Sequence, residues 1–364
     1  MPRPDLADAV LSGARPLRVL VTGAGGPAAV AFLRAVTTSG AFAAALPDGS
    51  PGAGVRVEAY AVDIDPYAAG LYLVPPPRRA LVPRGEDPTF LAAVLDLCRA
   101  AAVDVVVPTV DTELPVVCGS RPALRAVGAT VLGPTPATLE RCLDKADLAS
   151  SCGPLGVVPA TAVVDGRLAT AGWGWWPAVA KPRRGSGGRD VTVVAGPAEL
   201  ARLPTDGTWL VQELLPGPEH SIDVLATTSG RVVAAVPRSR LKVDSGVAVA
   251  GRTVDDPELV GIGHRVAAAI GLTSVANVQV KADAAGRPRL LEVNPRFPGT
   301  MPLTVAAGVD MPVLSVADLL GVALPDQVSH SPAAVVRHWE EVLLGPDELG
   351  SVRPGFPTPA GTRP

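Results

Sequence analysis

In the segment RLLEVNPRFPGT, Glu292, Asn294 and Arg296 alternate with Leu291, Val293 and Pro295. In an extended chain, alternate side chains share a face, which groups the carboxylate, the amide and the guanidinium and sends Leu291 and Val293 to the other side. Upstream, ANVQVKA places Asn277, Gln279 and Lys281 on one face in the same way, and Ala285-Gly286 suits a tight link between the two stretches. Paired as a hairpin, the strands would bring carboxylate and amide oxygens together. These are hard donors of the kind Mg²⁺ takes, with water and phosphate oxygens completing its shell. Arg296, one step beyond, has the fork that grips a phosphoryl oxygen. By itself the pattern fits a solvated polar stripe equally well.

Two further stretches carry compatible chemistry. AVAKPRRGSGGRDV puts Lys181 at a strand end, ahead of Gly185, Ser186, Gly187 and Gly188. Backbone N–H groups of such a loop can close over phosphates, with the lysine as a point charge behind them; a plain hairpin turn is the competing reading. The segment differs from the G-x-x-x-x-G-K-[ST] phosphate loop, which the chain lacks. In WLVQELLPGPEHSID an apolar strand ends at Gln212-Glu213-Leu214-Leu215, turns at Pro216-Gly217-Pro218 and resumes at Glu219. Backbone groups at that end could meet an adenine edge, and Glu219 could hold ribose hydroxyls or simply serve the turn.

These groups need a scaffold. Residues 17–134 alternate apolar strands and helices, which predicts an α/β parallel-sheet domain with helices on both faces. Its first turn, Gly23-Ala-Gly-Gly-Pro, departs from the dinucleotide fingerprint because Ala28 stands at the third glycine position. From residue 135 the texture changes. A helix with Asp144 and Lys145 near its middle leads into short strands separated by glycine turns, the mark of largely antiparallel sheets. A helix over 257–271 precedes the hairpin, and a strand is expected within 333–344. The divisions read as a flexible leader (1–16), an N-terminal α/β domain (17–134), a central subdomain with the glycine loop (135–208), a C-terminal subdomain with the metal site (209–345) and a flexible tail (346–364).

Taken in order, Lys145, Lys181 with its glycine loop, E-L-L-P-G-x-E, N-V-Q-V and L-L-E-V-N-P-R resemble the ATP-grasp superfamily, nearest to ligases related to the carbamoyl-phosphate synthase large chain. VTGAGG, VDIDPYAAG and VVVPTVDTEL resemble that branch's preceding domain, and VVRHWEEVLL its closing segment. The resemblance implies an α/β domain followed by an α+β ATP-grasp fold, two subdomains clasping ATP. It implies that Lys145, Lys181 and Gly185 to Gly188, with Ser186 among them, contact the ATP phosphates. Glu213 and Leu215 would line the adenine pocket and Glu219 would bind ribose. Gln279, Glu292 and Asn294 would hold one or two Mg²⁺ ions, replaceable by Mn²⁺. Arg296 would face the γ-phosphate and the acyl phosphate formed from it, with Lys181 and Arg240 assisting, and Lys242 a weaker match beside Arg240. The implied activity is a carboxylate–amine ligase forming an amide or peptide bond and releasing ADP and phosphate. A small-metabolite kinase and a non-catalytic nucleotide-binding protein share the same nucleotide motifs.

Composition narrows the partners. The 364 residues carry 32 Lys+Arg against 35 Asp+Glu, a net charge of −3, so no basic excess points to nucleic acid. No apolar run is long enough for a membrane span, and the N-terminus lacks the apolar core of a signal peptide. Cys98, Cys118, Cys142 and Cys152 show no C-x-x-C pairing and read as small buried hydrophobes in a reducing, cytoplasmic compartment. The expected partners are a small-molecule carboxylate and an amine, and a homodimer is compatible with the sequence. Asp111, Thr112 and Glu113 follow a strand at its carboxyl end, where they could meet an amino group or begin a helix. NPRFPGTMPLTVAAG would floor the carboxylate site, with Thr300 as a donor. His220, beside Glu219, reads as a loop histidine.

Overall fold

The computed structural model describes residues 4–185, 190–244 and 246–356. Its strands form three sheets. The first is parallel and contains β1 (Leu17–Thr22), β2 (Val57–Asp63), β3 (Arg79–Leu81), β4 (Val105–Val107) and β5 (Thr130–Val131), in the order β3-β2-β1-β4-β5. Val19, Val21, Val105, Val106 and Val107 are sealed from solvent, as continuous apolar runs in a sheet covered on both faces should be. The strand order reverses between β1 and β4, so a crevice opens at their carboxyl ends.

The loop after β1 enters the helix Pro27–Thr37. Its Gly25 N–H donates to Asp63 Oδ2 at 2.7 Å, so a carboxylate of the protein itself already occupies this amide of the glycine turn. Gly70 is required here, because a Cβ would lie 2.0 Å from the Ala24 carbonyl oxygen.

The second sheet is antiparallel, with order β6-β9-β7-β8: β6 (Thr161–Asp165), β7 (Ala178–Pro182), β8 (Thr192–Val194) and β9 (Asp206–Glu213). It has its own small core of Val164, Ala178, Ala180, Val194 and Val211. The third, also antiparallel, runs β14-β13-β10-β11-β12-β15: β10 (Glu219–Ala226), β11 (Val232–Asp244), β12 (Val247–Thr253), β13 (Val275–Ala282), β14 (Pro288–Asn294) and β15 (Ala334–Val336). One face packs Ile222, Val224, Val278 and Val280 against the helix Pro257–Ile270. The other face begins in the large core shared with the N-terminal domain, through Leu225 and Val236, and becomes polar toward the second sheet.

Four local expectations change. Residues 4–11 of the expected leader form a helix whose Leu6 and Val10 enter the core. The described part of the tail returns to the N-terminal domain: Val352 is buried, Pro354 bridges to Leu81, and Phe356 packs on Tyr60. The helix expected through Asp144 is two helices, Pro136–Leu143 and Lys145–Cys152. Asp144 caps the second, its Oδ1 accepting from the Ala146 and Asp147 N–H groups. The strand expected within 333–344 is limited to β15.

Candidate active site

The hairpin of β13 and β14 aligns polar residues in rows. Asp223 lies opposite Asn277 and Asn277 opposite Asn294; Ser221 lies opposite Gln279 and Gln279 opposite Glu292. The Asn294 amide donates to Glu292 Oε1 at 3.0 Å and the Gln279 amide to Asn277 Oδ1 at 3.2 Å. Both amides spend their nitrogen inside the protein. Gln279 and Glu292 line a cleft of about 340 Å³ between the second and third sheets.

The alternation expected of β14 breaks at Leu291. The register slips between Gln279 and Val280, so that Val280 faces Leu290 and Leu291 is the extra residue of a β-bulge. As a result Leu290 and Val293 both enter the core, while the adjacent Leu291 and Glu292 both line the cleft. Leu291 was expected on the far side. The bulge gives the cleft an apolar wall beside its carboxylate.

From the second sheet, Val179, Lys181 and Gln212 face the same cleft, joined by Leu215 just beyond β9. Lys181 is buried and its Nζ donates to Gln212 Oε1 at 2.8 Å. Gln212 in turn donates to Thr161 Oγ1 at 2.9 Å, and Thr161 to the Pro159 carbonyl at 2.9 Å, so the glutamine is held with its oxygen toward the lysine. Burial lowers the Lys181 ammonium to a pKa of about 8; the Lys145 charge adds to the shift and Glu292 opposes it. Lys145, also lowered by burial, reaches the Gly185 carbonyl at 2.8 Å, and its backbone N–H meets the Arg183 carbonyl at 3.0 Å. Lys145 is thus tied to the loop that follows the strand carrying Lys181. Ser186, Gly187 and Gly188 lie outside the described residues.

Four expected residues have unforeseen partners. Glu219 and Arg240, assigned to opposite ends of a nucleotide, form an ion pair of 3.0 Å at the cleft wall. Arg296 does not continue the face of Glu292 and Asn294. Its N–H bonds the Asn294 carbonyl at 2.9 Å, a tight turn that swings the guanidinium to the N-terminal domain. There Nε and Nη2 meet Asp111 Oδ1 and Oδ2 at 2.5 and 3.0 Å. The Glu213 side chain turns to the Ala160 N–H, 3.3 Å away.

Among the other candidates, Lys242 is exposed and does not line the cleft. His220 follows Glu219 on β10 and takes the opposite face by alternation. Thr300 is buried at the start of the helix Met301–Ala306. The Gly299 before it sits so close to Pro27 that a Cβ would lie 2.9 Å from the ring. Phe297 packs edge-on against Phe32 at 5.0 Å, which fixes NPRFPGT on the N-terminal domain.

Glu113 stands at the N-cap of the helix Leu114–Gly119, but its side chain makes no capping hydrogen bond. Glu113 accepts a hydrogen bond from Thr22 Oγ1 and is buried. Burial raises its carboxyl to about 7, with the Thr22 bond opposing and the Asp63 and Glu86 charges adding. Sequence reasoning missed Gln212, Leu291 and Asp223. Asp223 had a readable signal, a carboxylate in the middle of the apolar strand SIDVL, where an unpaired charge would be costly.

Sheet order, cleft and converging side chains define an ATP-grasp fold behind a parallel-sheet domain. Residues 205–342 match the family described as ATP-grasp in the biosynthetic pathway with Ter operon, and residues 47–132 match the PylC-like N-terminal domain. The chain therefore carries an ATP-grasp domain preceded by a PylC-like N-terminal domain. Among solved structures, it is similar to biotin carboxylase from Campylobacter jejuni, crystallised with βγ-ATP (16% identity, TM-score 0.65, covering 86% of this chain and 73% of that one). It is similar to the L-amino acid ligase from Bacillus licheniformis (18%, 0.61, 85% and 75%). N5-carboxyaminoimidazole synthetase from Staphylococcus aureus is a further likeness (12%, 0.63, 87% and 81%). At these identities the likeness is one of fold. No curated protein matches. Among the described residues no helix is long and apolar enough to cross a membrane, and no group of three or more His, Cys, Asp or Glu side chains could hold a metal.

Proposed function

We propose that the chain is an ATP-dependent ligase that activates a carboxylate as an acyl phosphate, passes the acyl group to an amine, and releases ADP and phosphate. One observation carries this reading: Lys181 from the second sheet, Lys145 from the start of the helix Lys145–Cys152 and the Gln279–Glu292 row of the third sheet converge on a single cleft. Lys145 and Lys181 supply the charge that a triphosphate would neutralise. Leu215 and Leu291 offer apolar walls for the base. The Glu213 N–H is already engaged by Ala160, so an amide donor toward an adenine edge falls to Leu215. Arg240 moves from Glu219 to the phosphates when nucleotide enters, freeing Glu219 for the ribose hydroxyls.

Gln279, Glu292 and Asn294 would hold Mg²⁺. The donor set fits: one carboxylate and two amides whose nitrogens are otherwise engaged leave hard oxygens for the ion, which commonly takes one or two carboxylates and completes its shell with phosphates and water. Bound there, the ion would neutralise phosphate charge.

The rest of the chemistry is positioning. A substrate carboxylate oxygen attacks the γ-phosphorus and the bond to the β-phosphate oxygen breaks, giving acyl phosphate and ADP. The amine then attacks the acyl carbon, phosphate departs with the electron pair, and the amine loses a proton. Arg296, at the domain boundary, would face the phosphate being transferred. No enzyme nucleophile is required. The four cysteines are buried, with Cys98 and Cys142 both pushed up to about 12 by burial.

The test is a screen of acids with ATP and hydroxylamine in place of the amine. A hydroxamate formed in step with ADP supports the ligase. A stable phosphorylated product would replace it with a kinase, AMP would refute the phosphate geometry, and no turnover across acids and amines would favour a nucleotide-binding protein.

A further inference from the structure

The amide of Gln279 can turn either end to the cleft, and only its oxygen suits a cation. Asp223 determines which end it shows. This carboxylate is sealed from solvent and accepts from Arg238 Nε at 2.9 Å, Arg238 Nη2 at 2.6 Å, Thr304 Oγ1 at 2.6 Å and Asn277 Nδ2 at 2.8 Å. With a forked guanidinium and a hydroxyl on its two oxygens, it offers its neighbours acceptors only. Asn277, itself buried, must therefore meet it nitrogen first. That turns Asn277 Oδ1 toward the next residue on the same strand face, where Gln279 Nε2 donates at 3.2 Å. The Gln279 Oε1 is left for the cleft, opposite Glu292.

We propose that Asp223 and Asn277 are positioning residues that lock the Gln279 amide with its oxygen outward; this rests on the reading of Gln279 as a magnesium ligand. The surroundings support it. Leu225 and Val236 next to Asp223 are core residues, and apolar side chains would fill that space without the desolvation cost of a buried ion pair. A carboxylate ligand would not need this device, since both its oxygens accept. A glutamine does.

The experiment is a mutant square read by Mn²⁺ binding, with free Mn²⁺ measured by electron paramagnetic resonance in the presence of a non-hydrolysable ATP analogue. Asn277→Leu frees the Gln279 amide to turn. Gln279→Glu sets an acceptor against an Asn277 oxygen that Asp223 prevents from turning. Each alone should weaken Mn²⁺ binding roughly tenfold, the low end for a residue that orients a ligand. The double variant, with an orientation-blind ligand and no opposing oxygen, should recover to within about threefold of the parent. A double variant no better than the worse single overturns the lock. Gln279→Leu separates the two readings: unchanged Mn²⁺ affinity in that variant removes the metal role itself. An activity-free readout covers any variant that fails to fold. In the unsubstituted protein, one Gln279 side-chain amide proton should exchange slowly with solvent, and equal fast exchange of both would overturn the proposal.

Discussion

Arg296 and Asp111 join the ATP-grasp domain to the N-terminal domain through two parallel hydrogen bonds, 2.5 and 3.0 Å long, with both side chains about one-quarter exposed. The pair sits at the carboxyl end of the parallel sheet, outside the walls of the cleft between the second and third sheets. Arg296→Ala should therefore lower hydroxamate formation at least a hundredfold, the scale of losing a donor aimed at developing charge, while the Kd for ATP stays within about threefold. Arg296→Lys should behave similarly, because an ammonium lacks the fork. Calorimetric titration beside the trapping assay separates the two effects, and equal loss of ATP binding would move Arg296 into the nucleotide site.

Glu292 supplies the one carboxylate of the proposed donor set. Glu292→Ala and Asn294→Ala should each reduce ADP release below about 1% of the parent, a loss of roughly 3 kcal/mol or more in transition-state stabilisation. Their far-ultraviolet circular dichroism and Tm should stay close to the parent's, because neither side chain is part of a core cluster. Near-parent turnover across a range of Mg²⁺ concentrations would remove them from the site.

Lys181 makes two pH dependences run in opposite directions. Its ammonium titrates near pH 8 in the folded protein, against 10.5 ordinarily, because burial disfavours the charge and Lys145 repels it. On the proposed reading the protonated form is the one that holds ATP, so its affinity should fall as pH rises above about 8. In the ligand-free protein the unfolded chain holds the extra proton between about pH 8 and 10.5, so this residue's contribution raises stability with pH over that window. Titrations of ATP and urea melts from pH 7 to 10 read both slopes. Lys181→Arg, charged throughout, should remove them; an ATP affinity unchanged up to pH 10 would count against the buried lysine.

The bulge in β14 separates two neighbouring leucines by function. Leu290→Ala, in the core, should cost about 2–5 kcal/mol of stability and leave ATP affinity unchanged. Leu291→Ala, at the cleft wall, should weaken ATP roughly five- to twentyfold, about 1–2 kcal/mol of apolar contact, with little change in stability. Denaturant melts and ATP titrations on the two variants check this, and a reversed pattern would mean the register continues without a bulge.

The hairpin of Gln279 and Glu292 was legible because period-two alternation and a tight Ala285-Gly286 link fix a register with few competitors. The lysines and the α/β character of residues 17–134 were legible for similar local reasons. What escaped depends on contacts across the chain. No local pattern announces the bulge that turns Leu291 inward, nor the tight turn that delivers Arg296 to Asp111 across 185 positions. The break at Asp144 follows from a capping interaction that competes with helix continuation, and strand β12 was passed over because Gly246 and Gly251 interrupt a short apolar run.

The distribution of cores has a mechanical consequence. Phe32 and Leu33 of the N-terminal domain share one apolar cluster with Leu225, Val236, Phe297, Met301 and Leu314, whereas the second sheet closes on a cluster of its own. The N-terminal domain and the six-stranded sheet are thus joined through one core, and the small sheet has its own. The parallel sheet, the six-stranded sheet and the Arg296–Asp111 tie form one anvil that cannot bend without opening its core. The small sheet carrying Lys181 is the hammer: none of its buried apolar residues belongs to the anvil's cluster, and the cleft lies between the two.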